Sequence, residues 1–262
     1  MVDPMQALNV HFLPQRVDAA ALAASTVVVI DMLRASSTIC QALASGATCV
    51  TPFLEVEETL RAAERYPRTE IVLGGERHGK VIAGFDLGNS PLEYTPEAVA
   101  GKRLLFTTTN GTQALAHAAA AARTLVGCGL NRQAVSRALA AARRVDVLCA
   151  GTDGSVTGED ILAAGAILGA LLADEPSGDQ PRCWQMNDGA KTALQQWRSL
   201  LSAAESEGRT PAEQLALQMR TTPGGRNLLE IGHDYDLVAC AQLDAFDVVP
   251  QLDRQTGEIR PA

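Results

Sequence analysis

One short stretch gathers an acid, a cation and three hydroxyls: Asp31, Arg34, Ser36, Ser37 and Thr38. It follows directly on Val27-Val28-Val29-Ile30, whose unbroken β-branched apolar character reads as a strand buried on both faces. Such groups at the carboxyl end of a buried strand, ahead of a helix, suit an anionic ligand held together with a metal ion. The plain alternative is that Asp31 or a serine merely caps the helix.

Three further stretches repeat the pattern. After Leu104-Leu105-Phe106 comes Thr107-Thr108-Thr109-Asn110-Gly111-Thr112, which can offer several donors to phosphate oxygens at a helix start. One threonine would serve as an N-cap; four with Asn-Gly exceed that need. After Val147-Leu148-Cys149, the turn running to Glu159 and Asp160 puts two acids at a helix start, where they suit the helix dipole or a metal. The long segment from Gly74 through Glu76, Arg77, His78 and Lys80 to Asn89-Ser90-Pro91 carries both charge signs and no apolar face. It reads as a solvated loop, or as a lid or clamp over a ligand.

The elements that must position these turns alternate strand and helix. Strands are expected at Leu8–Leu13, Val27–Ile30, Thr48–Phe53, Ile71–Leu73, Arg103–Thr107, Thr124–Cys128 and Val145–Cys149. Between them lie helical stretches at Ile39–Ala44, Glu55–Arg65, Thr112–Ala122, Gln133–Arg143 and Glu159–Leu172. The rhythm predicts an α/β fold, a mostly parallel sheet between helices, with the strand-to-helix turns along one sheet edge. Residues 1–174 form the expected α/β core. After a surface loop at Asp174–Gln180, residues 175–262 read as a helical C-terminal elaboration packed on that core, with helices at Ala190–Glu205, Pro211–Met219 and Arg226–Ile231.

The net charge of −8 and the absence of a basic stripe exclude a typical nucleic-acid binder, and make local cations or a metal necessary for an anionic ligand. None of the six cysteines forms a C-x-x-C pair, so buried free thiols in a reducing compartment are expected. No signal peptide or membrane span is evident, and a cytoplasmic location with no membrane partner is expected. Alanine-rich helices would pack closely in a homodimer. His117 reads as surface or interface, Trp184 and Trp197 as packing residues, and His233 with Asp234 and Asp236 as an exposed turn.

The motifs V-V-x-I-D-x-L-R-A-S-S-T, G-G-E-R-x-G, G-F-D-L-G-N-S-P, T-T-T-N-G-T and C-A-G-x-x-G-x-x-x-x-E-D, in this order, resemble the 2-phosphosulfolactate phosphatase family, the ComB-type proteins. The resemblance runs from about Ile30 to Gly165, with a weaker echo from Gly224 to Pro250. It implies an α/β fold peculiar to the family and a Mg²⁺-dependent hydrolysis of 2-phosphosulfolactate to sulfolactate and phosphate, a step of coenzyme M biosynthesis in methanogens. A small phospho-acid carrying several anionic groups calls for charge neutralisation and positioning. Asp31 and Glu76 are the first candidates for metal ligands, with Glu159 and Asp160 next. Arg34 and Arg77 would clamp oxyanions, with Arg226 a further clamp. Ser36, Ser37, Thr38, Asn89, Ser90, Thr109, Asn110, Gly111 and Thr112 would supply neutral contacts. A carboxylate free of metal could activate water or attack phosphorus, and the sequence does not choose.

Two rivals compete. A cysteine hydrolase of the isochorismatase type also opens on a strand ending I-D-M, and would use Cys149 or Cys128, although neither has a neighbouring cation in sequence. A non-catalytic anion-binding protein could use the same donor-rich turns. The Asp-x-Asp of haloacid dehalogenase-type phosphatases and the Walker motif are missing.

Overall fold

The computed structural model describes residues 6–173 and 183–262. The expected loop at Asp174–Gln180 lies outside the described residues. The strands are β1 (Gln6–His11), β2 (Thr26–Ile30), β3 (Cys49–Pro52), β4 (Ile71–Arg77), β5 (Lys80–Val81), β6 (Arg103–Thr107), β7 (Arg123–Val126), β8 (Arg144–Cys149), β9 (Trp184–Met186), β10 (Pro250–Leu252) and β11 (Ile259–Pro261). Around them lie α1 (Ala35–Ala44), α2 (Val56–Ala63), α3 (Pro96–Val99), α4 (Gly111–Ala118), α5 (Arg132–Leu139), α6 (Gly158–Ala173), α7 (Asp188–Ser206), α8 (Pro211–Met219), α9 (Pro223–Glu230) and α10 (Tyr235–Cys240). The fold is α/β, a mostly parallel sheet flanked by helices.

Two parallel blocks make up the sheet. One is β4-β6-β3, with β5 hairpinned onto β4; the other is β7-β2-β8-β1-β9. The hairpin β10–β11 joins them, with antiparallel pairings to β7, within itself and to β3. Three successive reversals make the two blocks run in opposite senses. The expectation of strand-to-helix turns along one edge therefore needs correction: the turns of the two blocks leave the sheet in opposite directions. Side chains of both blocks nevertheless meet in one shared core cluster. Val27 and Val29 of β2 face the same cluster as Val50, Val72, Leu104 and Phe106 of the other block, with Ile39 of α1 and Leu115 of α4 between them.

The other face of β2 sends Val28 and Ile30 against Ile161, Leu162 and Ile167 of α6. Burial on both faces is what the unbroken apolar run encodes, at about 1.5–3 kcal/mol for each such side chain. Helix α6 is apolar nearly all round and is covered by α7, where Trp197 is buried. The alanines of α4, Ala114 and Ala118, face the chain's own core. After residue 183 the chain is helical as read, yet it also supplies β9, β10 and β11 to the sheet. Those strands have three residues each, too few for a period-2 pattern to show. No helix among the described residues is long and apolar enough to cross a membrane.

Candidate active site

The carboxyl end of β2 and the hairpin tip beyond β4 open on one cleft of about 270 Å³. Asp31, Arg34, Glu76, Asn89, Thr109 and Asn110 line it, as do His78, Thr152 and Asp153; the C-terminal part adds Gly224, Asn227 and Ile231 from α9 and its end. Four sequence-expected stretches thus meet, with a fifth from α9.

Asp31 is buried, and its Oδ1 accepts the Ala35 N–H at 3.4 Å. Burial first, then the Glu76 and Glu159 carboxylates, raise its pKa from an ordinary 3.8 to about 7 against the pull of the Ala35 N–H and Arg34. Asp160 is held differently. Its two oxygens accept the backbone N–H of Met32, at 2.8 Å, and of Gly151, at 3.0 Å. It ties the turn after β2 to the turn after β8, and burial with the Asp31 and Glu159 charges pushes its pKa well up.

Glu76 also serves the backbone. Oε1 accepts from Thr109 N and Oε2 from Gly79 N, both at 2.7 Å. Glu159 is the opposite case: it is buried, and its Oε2 has no hydrogen-bond partner among the described residues. Its Oε1 lies so close to Gly224 that a Cβ there would stand 2.0 Å away. Among the described residues no three His, Cys, Asp or Glu side chains form a ready cation cage. Magnesium asks for less, one or two carboxylates with water and substrate oxygens. Asp31, which lines the cleft, and Glu159, which lies behind the lining but close enough for its charge to raise the Asp31 pKa, fit that need, while Glu76 and Asp160 each accept two main-chain N–H groups.

Several expected contacts are placed elsewhere. Helix α1 begins at Ala35 rather than Ile39, so Ser36, Ser37 and Thr38 lie in its buried first turn. Ser36 Oγ accepts from Asp31 N, while Ser37 and Thr38 donate to the carbonyls of Met32 and Asn89. Thr112 donates to Thr108 O one turn back. Gly111 leaves no room for a side chain, since a Cβ would stand 2.5 Å from Ala35 Cβ and 2.8 Å from Asp31 Oδ2. Arg77 bonds to the carbonyls of Glu76 and Leu54 and to Thr107 Oγ1, and is absent from the cleft lining. Arg226 is exposed and also outside it; Gly224 and Asn227 of the same helix line the cleft instead. Ser90 donates to Asp236 at 2.6 Å.

The long segment is largely a fixed structure. Strand β4 runs through both glycines to Arg77, and His78 with Gly79 forms the two-residue turn into β5, both at positive φ. Further on, Asp86 accepts from Leu73 N, and Tyr94 donates to Gly88 O. Sequence reading missed the part of Asp236, placed in an exposed turn but fully buried against Arg34. His117 has its Nε2 2.9 Å from Val17 O, outside the cleft.

A family model described as 2-phosphosulpholactate phosphatase matches residues 11–255. The chain belongs to the 2-phosphosulpholactate phosphatase family. A relative from Caldanaerobacter subterraneus subsp. tengcongensis is 41% identical over 230 residues, covering 86% of this chain and 87% of its own. One from Symbiobacterium thermophilum is 40% identical, covering 87% and 91%. A third, from Clostridium botulinum, is 34% identical, covering 87% and 88%. Each is described as "Probable 2-phosphosulfolactate phosphatase". Membership of the 2-phosphosulpholactate phosphatase family makes this chain a phosphoric monoester hydrolase.

The cysteine-hydrolase reading finds no support in the geometry. Cys149 and Cys128 are buried and lie outside the cleft lining. Burial, reinforced by Asp160 and Glu159, pushes the Cys149 thiol well up, away from a thiolate. At Cys128 burial also pushes the thiol up, but hydrogen bonding with Cys40 and Ser37 and with the backbone of Leu130 and Asn131 outweighs it and leaves the pKa lowered. Cys149→Ala is expected to keep phosphatase turnover at the wild-type level in a steady-state phosphate-release assay. Complete loss in a folded variant would revive the thiol mechanism.

Proposed function

We propose that this protein hydrolyses 2-phosphosulfolactate to 3-sulfolactate and phosphate with Mg²⁺ as cofactor, as a step of coenzyme M or sulfolactate metabolism. The observation that carries the reading is the extent of the family match: residues 11–255 include every residue lining the cleft, from Asp31 to Ile231. The cleft's own chemistry supports it. A small multiply charged phospho-acid needs directional donors and a counter-charge, and the lining has Arg34 and His78 beside Asp31, Glu76, Asp153 and Glu230. This excess of acid leaves the counter-charge to a cation, and Asp31 and Glu159 would hold it. A cation held by these carboxylates would supply Lewis-acid neutralisation of phosphoryl charge.

The protein's own groups do the rest. Arg34 lines the cleft and would offer a guanidinium donor to an oxyanion there, and Thr109 and Asn110 line the wall that a phosphate would face. Glu76, bonded to Gly79 N and Thr109 N, locks the hairpin tip to that wall. Leu33, Leu228 and Ile231 supply an apolar side for the carbon skeleton. The test is phosphate release from 2-phosphosulfolactate, with Mg²⁺ added and then chelated, beside other phospho-acids. Release that requires Mg²⁺ and is fastest with 2-phosphosulfolactate is expected. A folded protein that leaves this substrate intact, or cleaves it equally well after chelation, would overturn the substrate or the cofactor respectively.

A further inference from the structure

Among the described residues Arg34 is the only arginine or lysine lining the cleft, and two of the side chains that meet it, Asp236 and His233, lie outside the lining. Its side chain is 3% exposed. Nη1 donates to Asp236 Oδ2 at 2.7 Å and lies 3.1 Å from His233 Nδ1, while Nη2 donates to Gly79 O at 3.0 Å. The other Asp236 oxygen accepts from Ser90 Oγ at 2.6 Å. The Asp236 side chain is fully buried, with a partner on each oxygen, and no residue of α10 lines the cleft. Asp236 is thus occupied in holding Arg34.

We propose that Asp236 is a positioning residue of the phosphatase: it fixes the guanidinium fork of Arg34 and cancels its formal charge, making the arginine a directional donor to the substrate's oxyanion. The inference rests on the phosphatase reading above. A guanidinium carries five N–H donors in one rigid plane; here two donate to Asp236 and Gly79 and Nη1 also faces the His233 ring nitrogen, which fixes the orientation of the whole fork. A lysine could not serve both acceptors and a ligand in one plane. The pairing also joins separate parts of the chain: Arg34 at the start of α1, Gly79 at the hairpin tip, Ser90 beyond it, and α10 near the C-terminal end. With Arg34 already paired, neutralisation of a polyanionic substrate falls to another cation, which agrees with the acid excess in the lining.

A double-mutant cycle tests this. Phosphate release from 2-phosphosulfolactate at saturating Mg²⁺, and affinity for inorganic phosphate by calorimetry, would be measured for wild type, Asp236→Asn, Arg34→Met and both together. Asp236→Asn should lower kcat/KM about 100-fold when Arg34 is present, the cost of a misplaced contact group. In the Arg34→Met background the same change should cost less than about twofold. A merely structural aspartate would cost the same factor in both backgrounds, and that result, or wild-type turnover by folded Asp236→Asn, overturns the proposal. Arg34→Met strands a buried carboxylate and risks misfolding, so Arg34→Met/Asp236→Leu serves as a second variant. It should melt above Arg34→Met alone because neither charge remains; a lower melting temperature would count against the pairing. If wild type binds phosphate but leaves 2-phosphosulfolactate intact, the substrate reading fails and the cycle on phosphate affinity still judges Asp236. If it binds neither, both readings fall.

Discussion

Asp31→Asn is expected to lower phosphate release by about 10³-fold or more while making the protein more stable at pH 8. The two effects share a cause. In the folded chain the Asp31 carboxyl keeps its proton up to about pH 7, whereas in the unfolded chain it ionises near 3.8. Between those values the folded state binds more protons, so the stability linked to this group is present at low pH and is lost as pH rises through about 7. A gap of that size is worth on the order of 4 kcal/mol, shared with the neighbouring Glu76 and Glu159 charges.

An amide has the same shape, can still accept from Ala35 N, and carries no charge at any pH. The variant should therefore unfold at a higher temperature than wild type at pH 8, and at nearly the same temperature at pH 4. Added Mg²⁺ should stabilise wild type and leave the variant unmoved. Without metal, kcat/KM for any residual turnover by wild type should fall as pH drops through about 7, because protonation removes the working carboxylate. Equal melting temperatures at both pH values would show that Asp31 ionises normally. Retained turnover would remove it from the site.

Gly75→Ala should leave little folded protein. Gly75 sits at φ +140°, and a Cβ there would stand 1.9 Å from the Thr107 carbonyl oxygen and 3.0 Å from Thr107 N. Both neighbours are backbone of β6, paired in register with Gly75, and Gly75 N itself points at the carbonyls of Leu87 and Gly88. No flexible side chain can yield. The cost should exceed about 4 kcal/mol, a large share of the 5–15 kcal/mol that holds a typical domain. Gly84→Ala is the comparison, since Gly84 also has a positive φ but open space around its Cβ position; it should cost about 1–2 kcal/mol. Urea unfolding of the two variants separates steric overlap from dihedral strain. Similar midpoints would mean that β4 and β6 do not approach as closely as described. The close approach has a purpose: one residue beyond Gly75, it delivers the Glu76 carboxylate to Thr109 N.

Much of this was legible in the residues. The β-branched run before Asp31 encodes a strand covered on both faces, and the alternation of period-2 and period-3.6 segments encodes the α/β class. Turn chemistry marks where loops face a ligand, and the ordered motifs identify the family. Those signals are local: each depends on neighbours a few residues away. What the tertiary structure alone decided is which donor meets which acceptor. Ser36, Ser37, Thr38 and Thr112 carry the right groups for an anion yet spend them on backbone, because α1 and α4 start close against their strands. Arg77 and Arg34 are equally plausible as clamps from sequence, but only Arg34 finds a buried carboxylate, 202 residues away. The hairpin that joins the two sheet blocks is equally hidden, since three-residue strands carry no periodicity and their partners lie far back in the chain. Local propensity determined the parts and the acid around which they gather; long-range hydrogen bonding and burial determined which of its neighbours face the cleft.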